Sequence, residues 1–140
     1  RDAQESRGLG DVYKRQVLMK RNWYAVVILL MLCLLLLAAG RYVDRTTEAL
    51  VQQVQAAYAL AMQGDCPAAR RAYGRAAEKA RESSGLLNLL VRRNILDQMN
   101  QTMAVLPPCA ETDSLADLEM ETQRACIQIE QVRQSFFGGL

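Results

Sequence analysis

The chain has 140 residues, with 17 lysines and arginines against 15 aspartates and glutamates, and a net charge of +2. A balance this close to neutral argues against a nucleic-acid binder, which usually carries a strong basic excess. The chain contains no histidine, so the commonest general base and the commonest zinc ligand are both missing. We therefore expect neither an enzyme nor a metal or cofactor site.

The opening stretch RDAQESRGLGDVYKRQ is polar, and Gly8 and Gly10 would interrupt a helix. Translated back into codons, Ser6–Gln16 resembles the end of a transposase adapter used in sequencing libraries. We interpret residues 1–18 as a non-native leader, with Met19 as the initiator. The alternative is a natural polar tail.

The next stretch, WYAVVILLMLCLLLLAAG, carries no charge. As a helix it would be about 27 Å long, close to the thickness of a bilayer's hydrocarbon core. Lys20 and Arg21 precede it, which favours a cytoplasmic N terminus. We expect a transmembrane anchor over residues 19–41 and an extracytoplasmic helical domain over residues 42–140. The alternative is a signal peptide that is cleaved near Gly40.

The remaining sequence is rich in Ala, Leu, Gln, Glu and Arg, which is helix composition. The apolar spacing predicts an all-α fold in which the transmembrane helix precedes a small antiparallel bundle of about four helices. These are helix A (Asp44–Gln63), helix B (to Ser84), helix C (Leu86–Leu106) and helix D (from Thr112 or Asp113).

Local signals predict where these helices end. Gly64 fits a left-handed stop after helix A, and Asp65 can cap helix B with Pro67 in the first turn. The Ser-Ser-Gly sequence at 83–85 is expected to weaken or break helix B. Two prolines at 107–108 are expected to end helix C.

The segment Ala57–Ala80, which contains ALAMQGDCPAARRAYGRAA, resembles half of a tetratricopeptide repeat. Small residues lie where two helices would touch, with a glycine turn between them and Tyr73 as an aromatic plug. A repeat array needs about three copies, and we find no second one. We therefore predict a single antiparallel helical hairpin.

Helix D carries apolar or small residues at alternating spacings of three and four, which is an a/d seam. Such a seam needs a partner surface, either in the same chain or in a second copy. We predict that it contributes to an interaction surface. Its members are Leu115, Leu118, Thr122, Ala125, Ile129, Val132 and Phe136.

Cations concentrate on helices B and C, whereas acidic residues concentrate from Asp97 to Glu130. One interpretation is that basic helix B lies beside acidic helix D and helps to fix the topology. The other is a basic face for anionic lipid or an acidic partner. The cations that we assign to this candidate interaction surface are Arg70, Arg71, Arg75, Arg92 and Arg93.

Outside the cytoplasm, disulfides persist. If the helices alternate in direction, Cys66 and Cys109 lie at turns on the same end, and we predict a disulfide between them. Cys126, about 20 Å along helix D, would then be the unpaired thiol. If helices B and C were continuous, this bridge could not form. The alternative is three free cysteines in helix packing, with Cys33 a small apolar residue of the span.

From Met19 onward the chain resembles the bacterial membrane-protein family known as domain of unknown function 4363. The resemblance rests on four stretches: MKRNWYAVVILLMLCLLLLAAG, DRTTEALVQQVQAA, GDCPAARRAY, and LLNLLVRRNILDQMNQTM leading to CIQIEQVRQSFFGGL. The chain departs from the family in lacking a Trp after Gly64-Asp65 and a His before Asp97. The resemblance implies a short single-pass protein of Gram-positive bacteria with a helical exterior, working beside other membrane proteins, and no known activity.

Together these observations predict a non-catalytic accessory or interaction subunit of an envelope membrane complex. Its expected partners are the lipid bilayer and another membrane protein. One alternative is a secreted helical binding module released by cleavage near Gly40. The other is a self-associating structural protein that uses helix D as a coiled coil, which would make the chain a homo-oligomer.

Overall fold

The computed structural model describes the backbone of residues 6–111 and 114–138, and the side chains of residues 22–111, 114–136 and 138. All regular structure in this part of the chain is helical, which confirms the all-α class. It forms four helices, because the apolar segment and the predicted helix A are one continuous helix where the sequence predicted two. The chain divides into two compact units, Arg1–Ala38 and Ala39–Leu140, and the first helix contributes to both. The helices are α1 (Ser6–Met62), α2 (Cys66–Leu87), α3 (Arg93–Cys109) and α4 (Leu115–Phe137).

In the N-terminal unit the uncharged segment is helical, and its large apolar side chains are exposed. Their exposed fractions run from 45% at Val27 to 69% at Met31. By length and composition, the described residues contain one helix that could cross a membrane, Asn22–Met62, near the N terminus. A membrane anchor and a signal sequence share these properties, so both expectations for this segment stand.

Helix α1 begins earlier than the sequence indicated. It starts at Ser6 and continues through Gly8 and Gly10, which we expected to interrupt it. Extending an existing helix adds one hydrogen bond per residue without a new nucleation step, whereas each glycine costs only about 1 kcal/mol. Residues 1–5 of the predicted leader lie outside the described residues.

The C-terminal unit encloses one hydrophobic core to which all four helices contribute. Residues of α1 enter it at intervals of three and four, at Leu50, Val54, Ala57 and Ala61. Helix α2 contributes mostly alanines, which allow close approach of neighbouring helices. The largest fully buried side chains are Tyr73, Leu50, Leu87, Leu96, Met99, Met103, Leu106, Ile129, Val43, Val54 and Val132.

The turn between α1 and α2 follows its local sequence. Gly64 has φ +83°, the left-handed region that glycine adopts without a steric penalty. Asp65 caps α2 by accepting a hydrogen bond from the backbone N–H of Ala68 at 3.0 Å, and Pro67 lies in the first turn. The predicted stop and cap are therefore confirmed.

Helix α2 does not break at the Ser-Ser-Gly sequence, so that prediction was wrong. The hydroxyls of Ser83 and Ser84 donate to the carbonyl oxygens of Lys79 and Ala80, which satisfies them inside the helix. The helix continues to Leu87, whose side chain is fully buried. Burial of Leu87 outweighs the weak local preference, because full burial of a leucine is worth about 1.5–3 kcal/mol. The break falls instead over residues 88–92.

Helix α3 is also displaced from its predicted bounds. It begins at Arg93, seven residues after the predicted start at Leu86, because the preceding leucines belong to α2 and the turn. It ends at Cys109 and contains Pro107 and Pro108 in its last turn. The φ that proline fixes is compatible with a helix. The Ala110 N–H also bonds to the Leu106 carbonyl at 3.1 Å across both prolines, which keeps this last turn helical.

Helix α4 begins at Leu115, with Ser114 as its cap. The Ser114 hydroxyl accepts a hydrogen bond from the backbone N–H of Asp117 at 3.3 Å. The predicted start at Thr112 or Asp113 lies outside the described residues.

Side-chain contacts link the helices of this unit. Asn100 on α3 donates to the Ser84 hydroxyl on α2 at 2.8 Å, and α3 also packs against α4. Arg70 near the start of α2 forms an ion pair with Glu111, just after the end of α3. The start of α2 therefore lies near the end of α3.

Candidate interaction surfaces

The predicted a/d seam of α4 faces the core of its own chain. Leu118, Thr122, Ala125, Ile129, Val132 and Phe136 are all buried, whereas Leu115 is 50% exposed. The partner surface that the seam needs is supplied by the other helices of the same unit. Leu118, Ile129, Val132 and Phe136 are therefore core residues in this structure, and they are not available as an exposed interaction surface.

The polar member of the seam makes a specific bond. The Tyr73 phenol oxygen on α2 and the Thr122 hydroxyl oxygen on α4 lie 2.8 Å apart, in a buried hydrogen bond. Burial raises the pKa of the Tyr73 phenol, although the bond to Thr122 acts in the opposite direction. This contact accounts for a threonine in an otherwise apolar seam, because its hydroxyl satisfies the buried phenol.

The predicted basic surface does not form one patch. Arg70, Arg71 and Arg75 lie exposed on the first half of α2, where Arg70 is paired with Glu111. Arg92 and Arg93 lie exposed at the turn between α2 and α3. Because a helix rises about 1.5 Å per residue, the rest of α2 separates Arg75, the nearest member of the first group, from this turn by roughly 18 Å. A single ligand of small size could not contact both.

Although cations and acidic residues lie on different helices, few ion pairs join one helix to another. Arg70–Glu111 joins α2 to the segment after α3. The other ion pairs between described side chains lie within single helices, at spacings of three or four. Exposed pairs of this kind each stabilise a protein by less than about 1 kcal/mol. Charge therefore adds little to how these helices are held together.

An open groove of about 700 Å³ lies where the start of α2 meets the end of α3. Cys66, Arg70 and Arg71 line it from one side, and Pro107 and Glu111 line it from the other. The groove brings the segment that carries Cys66 near the segment that carries Cys109. That arrangement is the one that the predicted disulfide requires.

The two cysteines differ in exposure. Cys66 is an exposed free thiol in this structure, so the disulfide with Cys109 stays a prediction. Cys109 is half-buried. Burial raises the pKa of its thiol, and the carboxylates of Glu121 and Asp117 raise it further.

A second groove, of about 410 Å³, runs between α1 and α4. Tyr58 of α1 lines it opposite Cys126 and Ile127 of α4. Cys126 is a free, half-buried thiol, and burial raises its pKa. A thiol with a raised pKa holds less thiolate at neutral pH, so Cys126 is a poor nucleophile.

Sequence analysis missed an exposed face on α4. Met120 and Ile127 are 64% and 61% exposed, and Gln123 lies between them at helical spacing. Ile127 and Gln123 line grooves on both sides of the helix, one facing α1 and the other facing α3. We call Met120, Gln123 and Ile127 the α4 ridge. In the sequence these three residues also follow a spacing of three and four, but the longer and more apolar seam on the same helix obscured this pattern.

A second exposed apolar feature lies at the turn between α2 and α3. Leu86 and Leu89 are 57% and 82% exposed. The signal in the sequence was the run LLNLLVRR, which sequence analysis placed at the start of the predicted helix C. The structure buries Leu87 and Val91 from this run and leaves Leu86 and Leu89 outside.

The described residues contain no group of three or more Cys, Asp or Glu side chains that could hold a metal ion. No protein-family model, curated protein or solved structure matches the chain. The resemblance to the family of domain of unknown function 4363 therefore stays a prediction without support from these comparisons. Evidence for function therefore comes from the exposed side chains described above.

Proposed function

We propose that this protein is a non-catalytic, membrane-anchored accessory subunit that binds another membrane protein of the bacterial envelope. One observation carries the proposal. The large apolar side chains from Trp23 to Leu37 are exposed, whereas the C-terminal unit encloses a core of its own. An apolar helical surface of this length is stable in lipid and costly in water. A unit with its own core is free to present a surface to a partner.

The C-terminal unit, in this proposal, is a small antiparallel bundle with a tetratricopeptide-like hairpin over Ala57–Ala80. The contacts Arg70–Glu111 and Ser84–Asn100 support opposite directions for α2 and α3. The Gly64 turn and the buried small residues of α2 support the hairpin. A single hairpin of this kind serves as a scaffold and not as a peptide-binding array.

The anchor is favoured over a cleaved signal peptide by the surroundings of the cleavage site. Gly40 is buried within α1, and Ala39 packs against the core of the C-terminal unit. Cleavage there would remove the start of a helix that contributes to that core. Detection of a mature N terminus after Gly40 in native membranes would favour the secreted binding module instead.

The self-associating coiled coil loses its proposed surface, because the seam that it needs is buried within the chain. The α4 ridge is the surface that remains on that helix. We propose that the ridge contacts the partner protein, since it places two largely exposed apolar side chains, Met120 and Ile127, next to open grooves.

Orientation is tested with the exposed thiol of Cys66. Intact cells that make the full chain are treated with a membrane-impermeant maleimide, with and without prior reduction, and Cys66→Ser is the control. An extracytoplasmic unit is labelled in intact cells, and labelling only after reduction supports the disulfide with Cys109. Labelling that requires lysis would place the unit in the cytoplasm and contradict the envelope role.

The partner surface is tested by photo-crosslinking in membranes. A photoreactive residue replaces Ile127 on the α4 ridge, and Gln52, exposed on α1, is the matched control. We expect a crosslinked species that is specific to position 127 and contains a second membrane protein. A crosslink between two copies of this chain would favour self-association, and equal crosslinking from both positions would contradict a role for the ridge.

A further inference from the structure

The turn between α2 and α3 presents leucines to its surroundings. Leu89 is 82% exposed, more than any other large apolar side chain of the described residues, and Leu86 is 57% exposed. Both lie at one end of the C-terminal unit, where α2 ends and before α3 begins. Two exposed leucines close together at the end of α2 and in the turn that follows gain free energy when they enter an apolar phase.

Cations lie directly beside these leucines. Arg92 is exposed, and the Arg93 side chain is 86% exposed. The Arg93 guanidinium lies 3.8 Å from Asp97, a distance and an exposure at which the pair is weak and easily exchanged for another anion. At a bilayer surface the lipid phosphates lie above the acyl chains. Leucines next to arginines match this arrangement, because the leucines can reach the acyl chains while the arginines contact the phosphates.

The position of this turn agrees with a membrane contact. Asp44, near the start of α1 in this unit, lines a groove with Glu130 and Arg133 of α4. Arg92 lines another groove with Ser135, also near the end of α4. The turn and the first residues of the unit therefore lie at the same end. Those first residues follow the apolar segment directly in the chain.

We propose that Leu86 and Leu89 enter the interfacial layer of the bilayer that holds the apolar segment, while Arg92 and Arg93 contact lipid phosphates. The proposal rests on the membrane anchor in the proposed function. Because the anchor already holds the unit at the membrane, its effective concentration there is high, and a contact too weak to recruit a soluble protein is sufficient. The turn thereby becomes a second attachment point of this chain to the bilayer.

The test uses depth-dependent quenching of tryptophan by brominated lipid. Trp23 is the only tryptophan of the chain. The full chain carrying W23F and L89W is reconstituted into vesicles of phosphatidylcholine with a minority of phosphatidylglycerol, with bromine near the carbonyl end of the acyl chains. The matched control is W23F with M62W. Met62 is also apolar and 57% exposed, but it lies about 27 Å along α1 from Asp44.

We expect the fluorescence of the L89W variant to be quenched at least ~2-fold more than that of the M62W variant, with a blue-shifted emission, because only position 89 contacts acyl chains. Equal quenching in the two variants would overturn the proposal and indicate that the turn faces water or an acidic protein. In the L89W background, replacing Arg92 and Arg93 with glutamine should reduce the quenching. Unchanged quenching would refute the role of the two arginines.

The unaltered chain separates this proposal from the proposed function. Its Trp23 should be quenched by the same lipid, because the anchor alone determines its depth. Quenching of Trp23 without quenching at position 89 refutes the second contact and leaves the anchor intact. Absence of quenching at Trp23 would refute the anchor itself.

Discussion

The Tyr73 phenol oxygen of α2 and the Thr122 hydroxyl oxygen of α4 lie 2.8 Å apart within the core. They are 49 residues apart in sequence, so the bond forms only when the bundle is assembled. Each group satisfies the other, and each would be left without that partner if the other were replaced.

We expect Tyr73→Phe to lower the free energy of unfolding by about 1–2 kcal/mol, since it leaves the Thr122 hydroxyl unsatisfied in the core. Thr122→Val should cost a similar amount, and the double variant should lose less than the sum of the two. Urea titration of the full chain in detergent, followed by far-UV circular dichroism, measures all four proteins. Strictly additive losses would mean that the two groups do not interact.

Two isoleucines of α4 provide a matched pair. Ile129 is fully buried, whereas Ile127 on the α4 ridge is 61% exposed. Ile129→Ala should destabilise the unit by about 2–5 kcal/mol because it opens a cavity. Ile127→Ala should change stability by no more than about 0.5 kcal/mol. The same urea titration compares them, and a similar loss from both variants would place the α4 ridge inside the fold.

Replacing Gly64 or Gly85 with alanine should change the stability of the fold in opposite directions. Gly64 has φ +83°, so Gly64→Ala should cost about 1–2 kcal/mol, although space for a methyl group is open. Gly85 lies within α2, also with open space, so Gly85→Ala should stabilise by about 0.5–1 kcal/mol through helix propensity. Thermal unfolding midpoints give the comparison. A stabilising effect at Gly64 would rule out the left-handed turn.

Alkaline pH should weaken the fold through Cys126. Burial raises the pKa of this thiol in the folded chain, so the unfolded chain ionises first, from about pH 8.5 upward. Stability is therefore unaffected below that pH and falls as pH rises between the unfolded and the folded pKa. Cys126→Ala should reduce this decline without abolishing it, because the pKa of the Cys109 thiol is also raised in the folded chain, whereas Ile127→Ala should leave the decline unchanged. Urea titrations across about pH 7 to 10 test this, and an identical decline in Cys126→Ala would exclude the thiol as its source.

Prediction from sequence succeeded where the cause is local. The end of α1 and the start of α2 depend on a left-handed glycine, a capping aspartate and a proline in the first turn, all within a few residues of Gly64. The inward face of α1 followed from its apolar spacing for the same reason. Neither feature needs information from a distant part of the chain.

Prediction from sequence failed where contacts between distant parts of the chain outweigh the local preference of a segment. The Ser-Ser-Gly sequence weakens a helix in isolation, but the Ser84–Asn100 bond and the burial of Leu87 extend α2 beyond it. The same shift moved the start of α3 to Arg93. The seam of α4 was identified correctly as a face that must be covered, but its periodicity could not indicate what covers it.

The sequence by itself determined the helical class, the apolar segment near the N terminus and the small-residue turn between α1 and α2, because composition, hydropathy and turn chemistry act over short distances. Only the tertiary structure decided which apolar faces remain exposed. Burial depends on the sum of contacts from all four helices. These contacts bury the α4 seam, whereas Met120 and Ile127 of the α4 ridge and the two leucines near Arg92 stay exposed.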